Sequence, residues 1–438
     1  MESKKPNVKP ESLCLAPFVH TYISPQSERR LCCASREPAN AFKQYIDTDS
    51  GTGTYKPMTL EQHWNRDHMK RVRKAHMAGE IIPECQVCNE KLLNTDVYRD
   101  YFWHLFKEKY NDIWEKTDDT GYTTMEPVSW DYRFSNLCNF KCRMCGDMLS
   151  SAWESEEKVN DMVNYNDISN NWMRPDVRKE ISEFQSKVVE QEFADAVNDH
   201  RVEEIYWVGG EPLMFEQHWY YMKKIIEQGD GGKIYARYNT NLSRIEYKGC
   251  HLFNDILDNI RDWQICASID GTNVIGEYIR DGLEYDKWLE YYKLGMTHEK
   301  HPGQMRLDFT LTLPGLYEVK NMFDLSKELN TPLLAKVTFA FTPDIIMSPM
   351  SLPRGILNSF IEELLEYCKP YTWKQKPLID VLENIKNRPN FEEQWPEEYV
   401  KGAKGGKERV LKIEKIRNDK VRLENILKDQ LLSWWEAL

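Results

Sequence analysis

The chain has 438 residues, of which 41% are hydrophobic and 12% aromatic, enough apolar material for the cores of two to three globular domains. Its formal net charge of −12 at pH 7 disfavours nucleic acids and anionic membranes as partners. No apolar run approaches the ~20 residues that span a bilayer, and the first residues lack the apolar core of a signal peptide, so we expect a cytoplasmic protein with no membrane partner.

Residues 1–95 are expected to form a small, loop-rich unit organised by metal. They contain five cysteines, and turn-forming segments such as "TDSGTGTYKP" lie between them. In a reducing compartment, clustered thiols bind metal or carry out redox chemistry rather than form disulfides. Spacing alone leaves a zinc ion and a fully ligated iron-sulfur cluster equally open. The four ligands we assign are Cys14, Cys32, Cys85 and Cys88, with Cys33 as the competitor of Cys32.

The middle of the chain alternates strand-like and helix-like runs. Before this region, residues 96–127 are predicted to form a helix with helically spaced aromatic residues, followed by a linker. The alternation over 128–345 predicts an α/β fold with a parallel sheet, either open or closed into a barrel. The predicted strands, each rich in β-branched or aromatic residues, are 128–134, 203–210, 233–241, 263–270, 305–313 and 335–343.

Two helical regions complete the predicted organisation. Residues 151–201 are long and charged, and we expect them to form a helical insertion in the first strand-to-helix connection. Residues 346–438 form a predicted helical extension with an apolar stripe that includes Ile413, Leu423 and Leu431. We interpret this extension as packing helices.

The segment "SNLCNFKCRMCGD" follows the first predicted strand and contains Cys138, Cys142 and Cys145. Soft thiolates select zinc, copper(I) or iron-sulfur clusters. A structural zinc site is closed by four protein ligands, whereas three thiolates can hold three irons of a cubane cluster and leave the fourth iron open. Ligands of parallel α/β sheets bind at the carboxyl ends of strands, so position and ligand count both favour an open cluster. A zinc knuckle that lacks one ligand and three chance core cysteines are the alternatives.

This CxxxCxxC loop resembles the signature of the radical S-adenosylmethionine (SAM) superfamily. The resemblance implies a partial (β/α)6 barrel over residues 128–345 and a 4Fe-4S cluster whose open iron chelates SAM. In that family, electron transfer from the cluster cleaves SAM to a 5′-deoxyadenosyl radical. The resemblance also implies a reducing electron donor such as a flavodoxin or ferredoxin.

Segments at the ends of later strands are similar to SAM-binding segments of the same family. "WVGGEPL" is similar to its glycine-rich segment, "YNTN" to a Thr-Asn-Gly motif with Leu242 at the glycine position, and "ASIDG" and "EYIRDG" to carboxylate-binding segments. Glycines permit close backbone approach, and an arginine fork suits a carboxylate. The SAM-binding residues that the resemblance implies are Met144, Gly209, Gly210, Glu211, Pro212, Asn241, Ser268 and Arg280.

The N-terminal cysteines are similar to the auxiliary-cluster modules called twitch and SPASM domains. In those modules Cys-x-x-Pro, a hairpin that ends in cysteine and a later Cys-x-x-Cys recur, and the same order occurs here. Four ligands fit a second, auxiliary 4Fe-4S cluster that accepts an electron or positions the substrate. The module precedes the barrel in this chain, whereas in relatives it usually follows.

The resemblance implies a radical SAM oxidoreductase or transferase-type enzyme that abstracts hydrogen from a substrate. We expect a peptide or protein substrate, and a small molecule such as a sugar, nucleotide or cofactor precursor is the alternative. An alternative of another class is a non-catalytic scaffold in which all seven thiols bind zinc. Cavity-facing candidates are Tyr206, Tyr238 and Asp308, and the sequence identifies no general base or hydrogen donor.

Overall fold

The computed structural model describes residues 10–35, 57–90, 98–338 and 345–438, and these form a mixed α/β chain. Residues 48–56 of the turn-forming segment therefore lie outside the described residues. The chain divides into two compact units. The first unit comprises Met1–Cys138, Asp147–Tyr238 and Glu246–Trp263. The second unit comprises Asn139–Gly146, Asn239–Ile245 and Gln264–Leu438.

The strands of the described ranges are short and are separated by helices. They are β1 His20–Ile23, β2 Arg29–Arg30, β3 Ser129–Tyr132, β4 Lys141–Cys142, β5 Glu204–Trp207, β6 Tyr235–Thr240, β7 Glu246–Tyr247, β8 Cys250–His251, β9 Asp262–Ser268, β10 Arg280–Asp281, β11 Met305–Leu311 and β12 Leu333–Val337.

The α-helices of the same ranges range from single turns to the long α17. They are α1 Ala16–Val19, α2 Leu60–Trp64, α3 Asp67–Met77, α4 Gln86–Asn89, α5 Tyr98–Phe106, α6 Tyr110–Lys116, α7 Ser151–Val159, α8 Pro175–Phe184, α9 Glu190–Asn198, α10 Glu216–Glu227, α11 Asn273–Ile279, α12 Tyr285–Thr297, α13 Val319–Glu328, α14 Arg354–Tyr367, α15 Lys376–Asn387, α16 Phe391–Gln394, α17 Pro396–Arg417, α18 Leu423–Ile426 and α19 Asp429–Ala437. No helix in these ranges is long and apolar enough to cross a bilayer.

In the first unit, the strand order is β2-β1-β3-β5-β6. β1 and β2 form an antiparallel hairpin, and the remaining neighbours are parallel. Side chains alternate between the two faces of a strand, so one face carries apolar rings such as Trp130 and Trp207 against helices α9 and α10. The opposite face, called the polar face below, carries His20, Tyr22, Ser129, Asp131, Glu204, Tyr206, Tyr235 and Arg237.

In the second unit, β9, β11 and β12 are neighbours in that order and run parallel. Their shared core includes Ile265, Leu307 and Leu333, each fully buried. The predicted C-terminal stripe is divided among three helices, because α17 ends where Asn418 adopts the left-handed conformation with φ 52°. Leu423 and the helices that follow it are nonetheless buried on one side, as expected of packing helices.

The structure confirms the predicted α/β fold with a parallel sheet. Each of the six predicted strands is present, although residues 339–343 of the last one lie outside the described residues. The insertion at 151–201 is helical, with a π-helical turn, Gln185–Val189, that joins α8 to α9. Closure of the sheet into a partial (β/α)6 barrel stays a prediction. The parallel pairing of β1 with β3 was not predicted.

Candidate functional site

The three-cysteine loop contains a short strand within the second unit. β4 pairs antiparallel with β10, and Cys142 lies opposite Arg280. The Arg143 N–H donates to Ile279 O at 2.8 Å, and the Cys145 N–H donates to Cys142 O at 3.0 Å. Cys142 is thus fixed on a strand, and Cys145 follows it in a hydrogen-bonded turn.

A buried arginine connects this loop to the C-terminal helices of the same unit. Arg143 is 4% exposed, donates from Nε to Tyr278 O at 2.7 Å and stacks 3.8 Å from the Tyr278 ring. Its other end forms an ion pair with Asp419, just beyond α17. Arg417, the last residue of α17, donates to Lys141 O at 2.9 Å. No local pattern in the sequence indicates these contacts, because the partners lie 276 residues apart.

Arg280 lies between a carboxylate and a cysteine of the loop. Its Nε is 2.7 Å from Asp270 Oδ2, and its Nη1 is 3.8 Å from Cys142 Sγ. A guanidinium beside a thiol favours the thiolate, the form that ligates metal. Arg280 is predicted to bind the SAM carboxylate, but here the Asp270 carboxylate binds one side of its guanidinium group. That predicted role is not tested by the structure.

Asn241 and Leu242 brace the same loop within the second unit. Asn241 Nδ2 donates to Asn139 Oδ1 at 3.1 Å, and Asn241 Oδ1 accepts from Ser243 N at 3.0 Å. Leu242, at the family's glycine position, adopts a left-handed conformation with φ 51°. That conformation is unfavourable for leucine by about 1–2 kcal/mol, and full burial of its side chain offsets a similar amount.

Ser268 is the last residue of β9, and Asp308 lies opposite it in the middle of the neighbouring strand β11. They are register partners of β9 and β11, and Ser268 is half-buried. Asp308 accepts hydrogen bonds from Asn239 Nδ2 at 2.9 Å and from Lys336 Nζ at 2.7 Å. Ser268 therefore occupies the position at the carboxyl end of a strand that its predicted role requires, and Asp308 is already engaged.

The glycine-rich segment of the first unit packs backbone to backbone against the residues before Cys138. A Cβ at Gly210 would lie 2.2 Å from Leu137 O, so only glycine fits there. The Glu211 N–H donates to that same carbonyl at 2.7 Å, and the Glu211 carboxylate accepts from Leu213 N at 3.0 Å. Gly209, with φ 134°, adopts a conformation that other residues avoid. Close approach to the cysteine loop explains Gly210, and backbone conformation explains Gly209.

Cys138 has its own support in the first unit. Its N–H donates to Ser151 Oγ at 3.2 Å, and the Asn136 amide donates to Asp147 O at 2.8 Å.

In the second unit, Met144 is half-buried and a Cβ at Gly146 would meet nothing within 4 Å. Space is thus open beside the last residue of the CxxxCxxC loop.

The N-terminal cysteines gather within the first unit. Cys14 precedes α1, Cys32 follows β2, and Cys85 and Cys88 lie at the helical turns around Pro83–Asn89. Burial raises the pKa of the Cys14 thiol, and the nearby Cys85 and Cys88 add to the increase. The pKa of Cys32 is likewise raised by burial and by its neighbours Cys33, Cys14 and Cys85. Cys14 therefore lies within electrostatic range of Cys32, Cys85 and Cys88, and Cys32 lies within range of Cys85.

His76 is a neighbour of this group that the sequence did not indicate. The Cys14 N–H donates to His76 Nδ1 at 3.3 Å, and His76 Nε2 lies 3.6 Å from Cys85 Sγ. Burial lowers the pKa of His76 to about 4, so the imidazole is neutral at pH 7. His76 Nδ1 also lies 3.1 Å from Ser12 O, so the tautomer of the ring decides which nitrogen donates and whether Nε2 donates to the sulfur or accepts from it.

Cys33 faces a different set of residues from Cys32. Its thiol hydrogen-bonds with Tyr98, and its pKa is raised by burial and then by Asp131. It therefore lies toward the polar face, whereas Cys32 lies toward Cys14. This placement supports the choice of Cys32 as the ligand, which stays a prediction.

Donor chemistry supports a cluster at each cysteine set, although neither set forms a finished coordination sphere. Within the described ranges, no three His, Cys, Asp or Glu side chains already have metal-binding geometry. Three thiols with a guanidinium beside one of them, and a second set of four thiols, are the ligand types that iron-sulfur clusters use. Of the candidate cavity residues, Tyr206 lies on the polar face, whereas Tyr238 is fully buried on the other face and lies 3.1 Å from His218 Nε2.

Comparisons with known proteins give one group of similar structures. No family model matches the chain, and no curated protein matches it in sequence. Streptococcus suis SuiB bound to S-adenosylmethionine is 14% identical over 82% of this chain and 69% of that one, with a TM-score of 0.37. SuiB bound to precursor peptide SuiA is 12% identical over 78% and 70%, with a TM-score of 0.34. Since both scores are below 0.5, the functional argument rests on the geometry of this chain.

Proposed function

We propose that the chain is a radical SAM enzyme. The observation that carries the proposal is the pairing of β4 with β10, which places Arg280 beside Cys142 on a loop that offers three thiols. A zinc scaffold needs a fourth ligand to close the site, whereas here β10 places an arginine beside Cys142. An open cluster uses three thiolates and benefits from a nearby positive charge.

Cys138, Cys142 and Cys145 would hold a 4Fe-4S cluster at this loop. When bound there, the cluster supplies the electron that cleaves SAM to a 5′-deoxyadenosyl radical. Arg280 donates toward the Cys142 sulfur, and Arg143 fixes the loop by its contacts with Tyr278 and Asp419. Around the loop, SAM would contact the residues assigned by resemblance: Met144, Gly209, Gly210, Glu211, Pro212, Asn241, Ser268 and Arg280.

A second 4Fe-4S cluster would be held by the N-terminal set, Cys14, Cys32, Cys85 and Cys88. Their electrostatic proximity supports this assignment. The contact of His76 Nε2 with Cys85 Sγ is a further support, because hydrogen bonds to the sulfurs tune the potential of iron-sulfur clusters. In this proposal the second cluster accepts an electron from the substrate or positions it.

We assign a peptide or protein as the substrate, with hydrogen abstraction from one of its carbons and a flavodoxin or ferredoxin as the electron donor in the cytoplasm. The polar face supports this class, because the guanidinium of Arg237 on it has an Nε with no hydrogen-bond partner and matches the carbonyl and carboxylate acceptors of a polypeptide. A small molecule is the competing outcome of the substrate test below.

The test begins with anaerobic reconstitution of the full chain, followed by SAM and a strong reductant. The native chain should release 5′-deoxyadenosine, and Cys142→Ala should not. Cys250→Ala is the matched control, since Cys250 is half-buried in β8 and belongs to neither cysteine set. No 5′-deoxyadenosine from the native chain, with iron bound, would contradict the proposal. Deuterium transfer into 5′-deoxyadenosine from labelled peptides, but not from labelled sugars or nucleotides, would identify the substrate class.

A further inference from the structure

An arginine on the polar face of the first unit makes no contact ion pair with the described residues. Arg237 is half-buried on β6, and its Nε has no hydrogen-bond partner. Within the described part of the chain, its guanidinium donates no hydrogen bond and joins no ion pair. A partly desolvated guanidinium whose N–H groups meet no acceptor is unfavourable, so it calls for a ligand that supplies one.

Two tyrosine rings hold this guanidinium in place. Arg237 Cζ lies 3.7 Å from the centre of the Tyr206 ring and 4.3 Å from that of the Tyr101 ring. Tyr206 is the register partner of Arg237 on β5, and Tyr101 projects from α5. The rings stabilise the positive charge through cation–π contacts, but they accept no hydrogen bond from the edge of the guanidinium. Its N–H fork remains available.

The carboxylates of the same face are already engaged. Glu204 accepts a hydrogen bond from Tyr101 Oη at 2.8 Å and another from Ser129 Oγ. Asp131 accepts two from Arg133, at 3.0 and 3.2 Å. Neither carboxylate forms an ion pair with Arg237, although Glu204 lies within electrostatic range. Glu204 thus acts on Arg237 only across space, and no described carboxylate accepts a hydrogen bond from its guanidinium.

We propose that Arg237 binds a carboxylate of the substrate. This inference rests on the proposed function, because that function makes the polar face a substrate surface. A carboxylate is planar and has two oxygens, which match the fork of a guanidinium that is held between two rings. In a polypeptide, the carboxylate belongs either to an acidic side chain or to the C-terminus.

Calorimetric titration of the full, reconstituted chain with small probes tests the inference. N-acetyl-glutamate methylamide represents an acidic side chain, N-acetylglycine represents a C-terminus, and N-acetyl-glutamine methylamide is the neutral control. We expect saturable binding of at least one carboxylate probe, and whichever binds more tightly identifies the source. Arg237→Gln should weaken that binding about tenfold or more, which is the usual size of a charge-assisted hydrogen bond.

Two further variants keep the test decisive. Arg237→Lys keeps the charge without the fork, so it should fold and bind the carboxylate several-fold more weakly. Arg306→Gln is the matched control, because Arg306 donates from Nε to Gly303 O at 2.9 Å, and it should leave binding unchanged. No saturable binding to the native chain, equal binding by Arg237→Gln, or tighter binding of inorganic phosphate would overturn the inference.

The titration needs neither SAM nor reductant, so it separates two kinds of failure. A chain that releases 5′-deoxyadenosine but binds no carboxylate probe refutes this inference and leaves the proposed function intact. A chain that binds the carboxylate through Arg237 but releases no 5′-deoxyadenosine refutes the proposed function alone.

Discussion

Gly210→Ala tests whether the glycine-rich segment positions the cysteine loop. The added Cβ would lie 2.2 Å from Leu137 O and 2.7 Å from the Asn136 carbonyl carbon, both backbone atoms. An ordinary contact needs about 3.4 Å, so this backbone must move by about 1 Å. Overpacking of this kind destabilises a protein by about 1–3 kcal/mol. Cys138 is the next residue along the chain and should move with it.

A displaced ligand should reduce cluster occupancy more than it reduces folding. We expect Gly210→Ala to keep the native far-ultraviolet circular dichroism, to lose much of the iron at this loop, and to release 5′-deoxyadenosine about 100-fold more slowly. Gly146→Ala is the matched control, because a Cβ there meets nothing within 4 Å, and it should behave as the native chain. Full iron content and full activity in Gly210→Ala would refute the reasoning.

Three more predictions concern the support of the two cysteine sets and the polar face. Asp419→Ala leaves Arg143 buried without its ion pair, so the free energy of unfolding should fall by about 2–3 kcal/mol and the loop should lose iron. Thermal denaturation and iron analysis measure the two effects. An unchanged melting temperature would count against this role of the ion pair. Cys32→Ala should remove the auxiliary cluster by electron paramagnetic resonance, whereas Cys33→Ala should retain it, and the reverse result would reassign the ligand. Burial lowers the pKa of His20 to about 3. As the pH falls below 6.5, this histidine is therefore protonated in the unfolded chain before it is protonated in the folded one, and the free energy of unfolding decreases between pH 6.5 and 3. At pH 5 this loss is about 2 kcal/mol, and His20→Gln should remove it from denaturant-unfolding curves recorded at pH 7 and 5; an equal loss in the variant would contradict the assignment.

Local patterns in the sequence were sufficient to predict the parallel strands and the place of the three-cysteine loop after the first predicted strand. Runs of β-branched and aromatic residues locate the strands, because such side chains suit a pleated, half-buried surface. The pairing of β1 with β3 was not predictable in the same way. β1, His20–Ile23, has only four residues, too few to show an alternation of apolar and polar side chains. Its partner β3 begins more than a hundred residues later in the chain.

The contacts that shape the candidate site depend on the fold rather than on neighbouring residues. Arg143 meets Asp419 only because α17 ends beside the loop, and no motif records such a pairing. Likewise, Arg237 and Glu204 resemble outward polar residues of alternating strands in the sequence. The structure instead places both residues on the polar face, and this shows whether each of them has a hydrogen-bond or ion-pair partner there.

Iron and zinc content per chain, measured after anaerobic purification and reconstitution, most directly distinguishes an iron-sulfur enzyme from a zinc scaffold. We expect about eight irons in the native chain and about four when Cys138, Cys142 and Cys145 are all replaced by alanine, with loss of reductant-dependent 5′-deoxyadenosine release in the variant. Stoichiometric zinc in place of iron, with SAM left intact under reducing conditions, would contradict it.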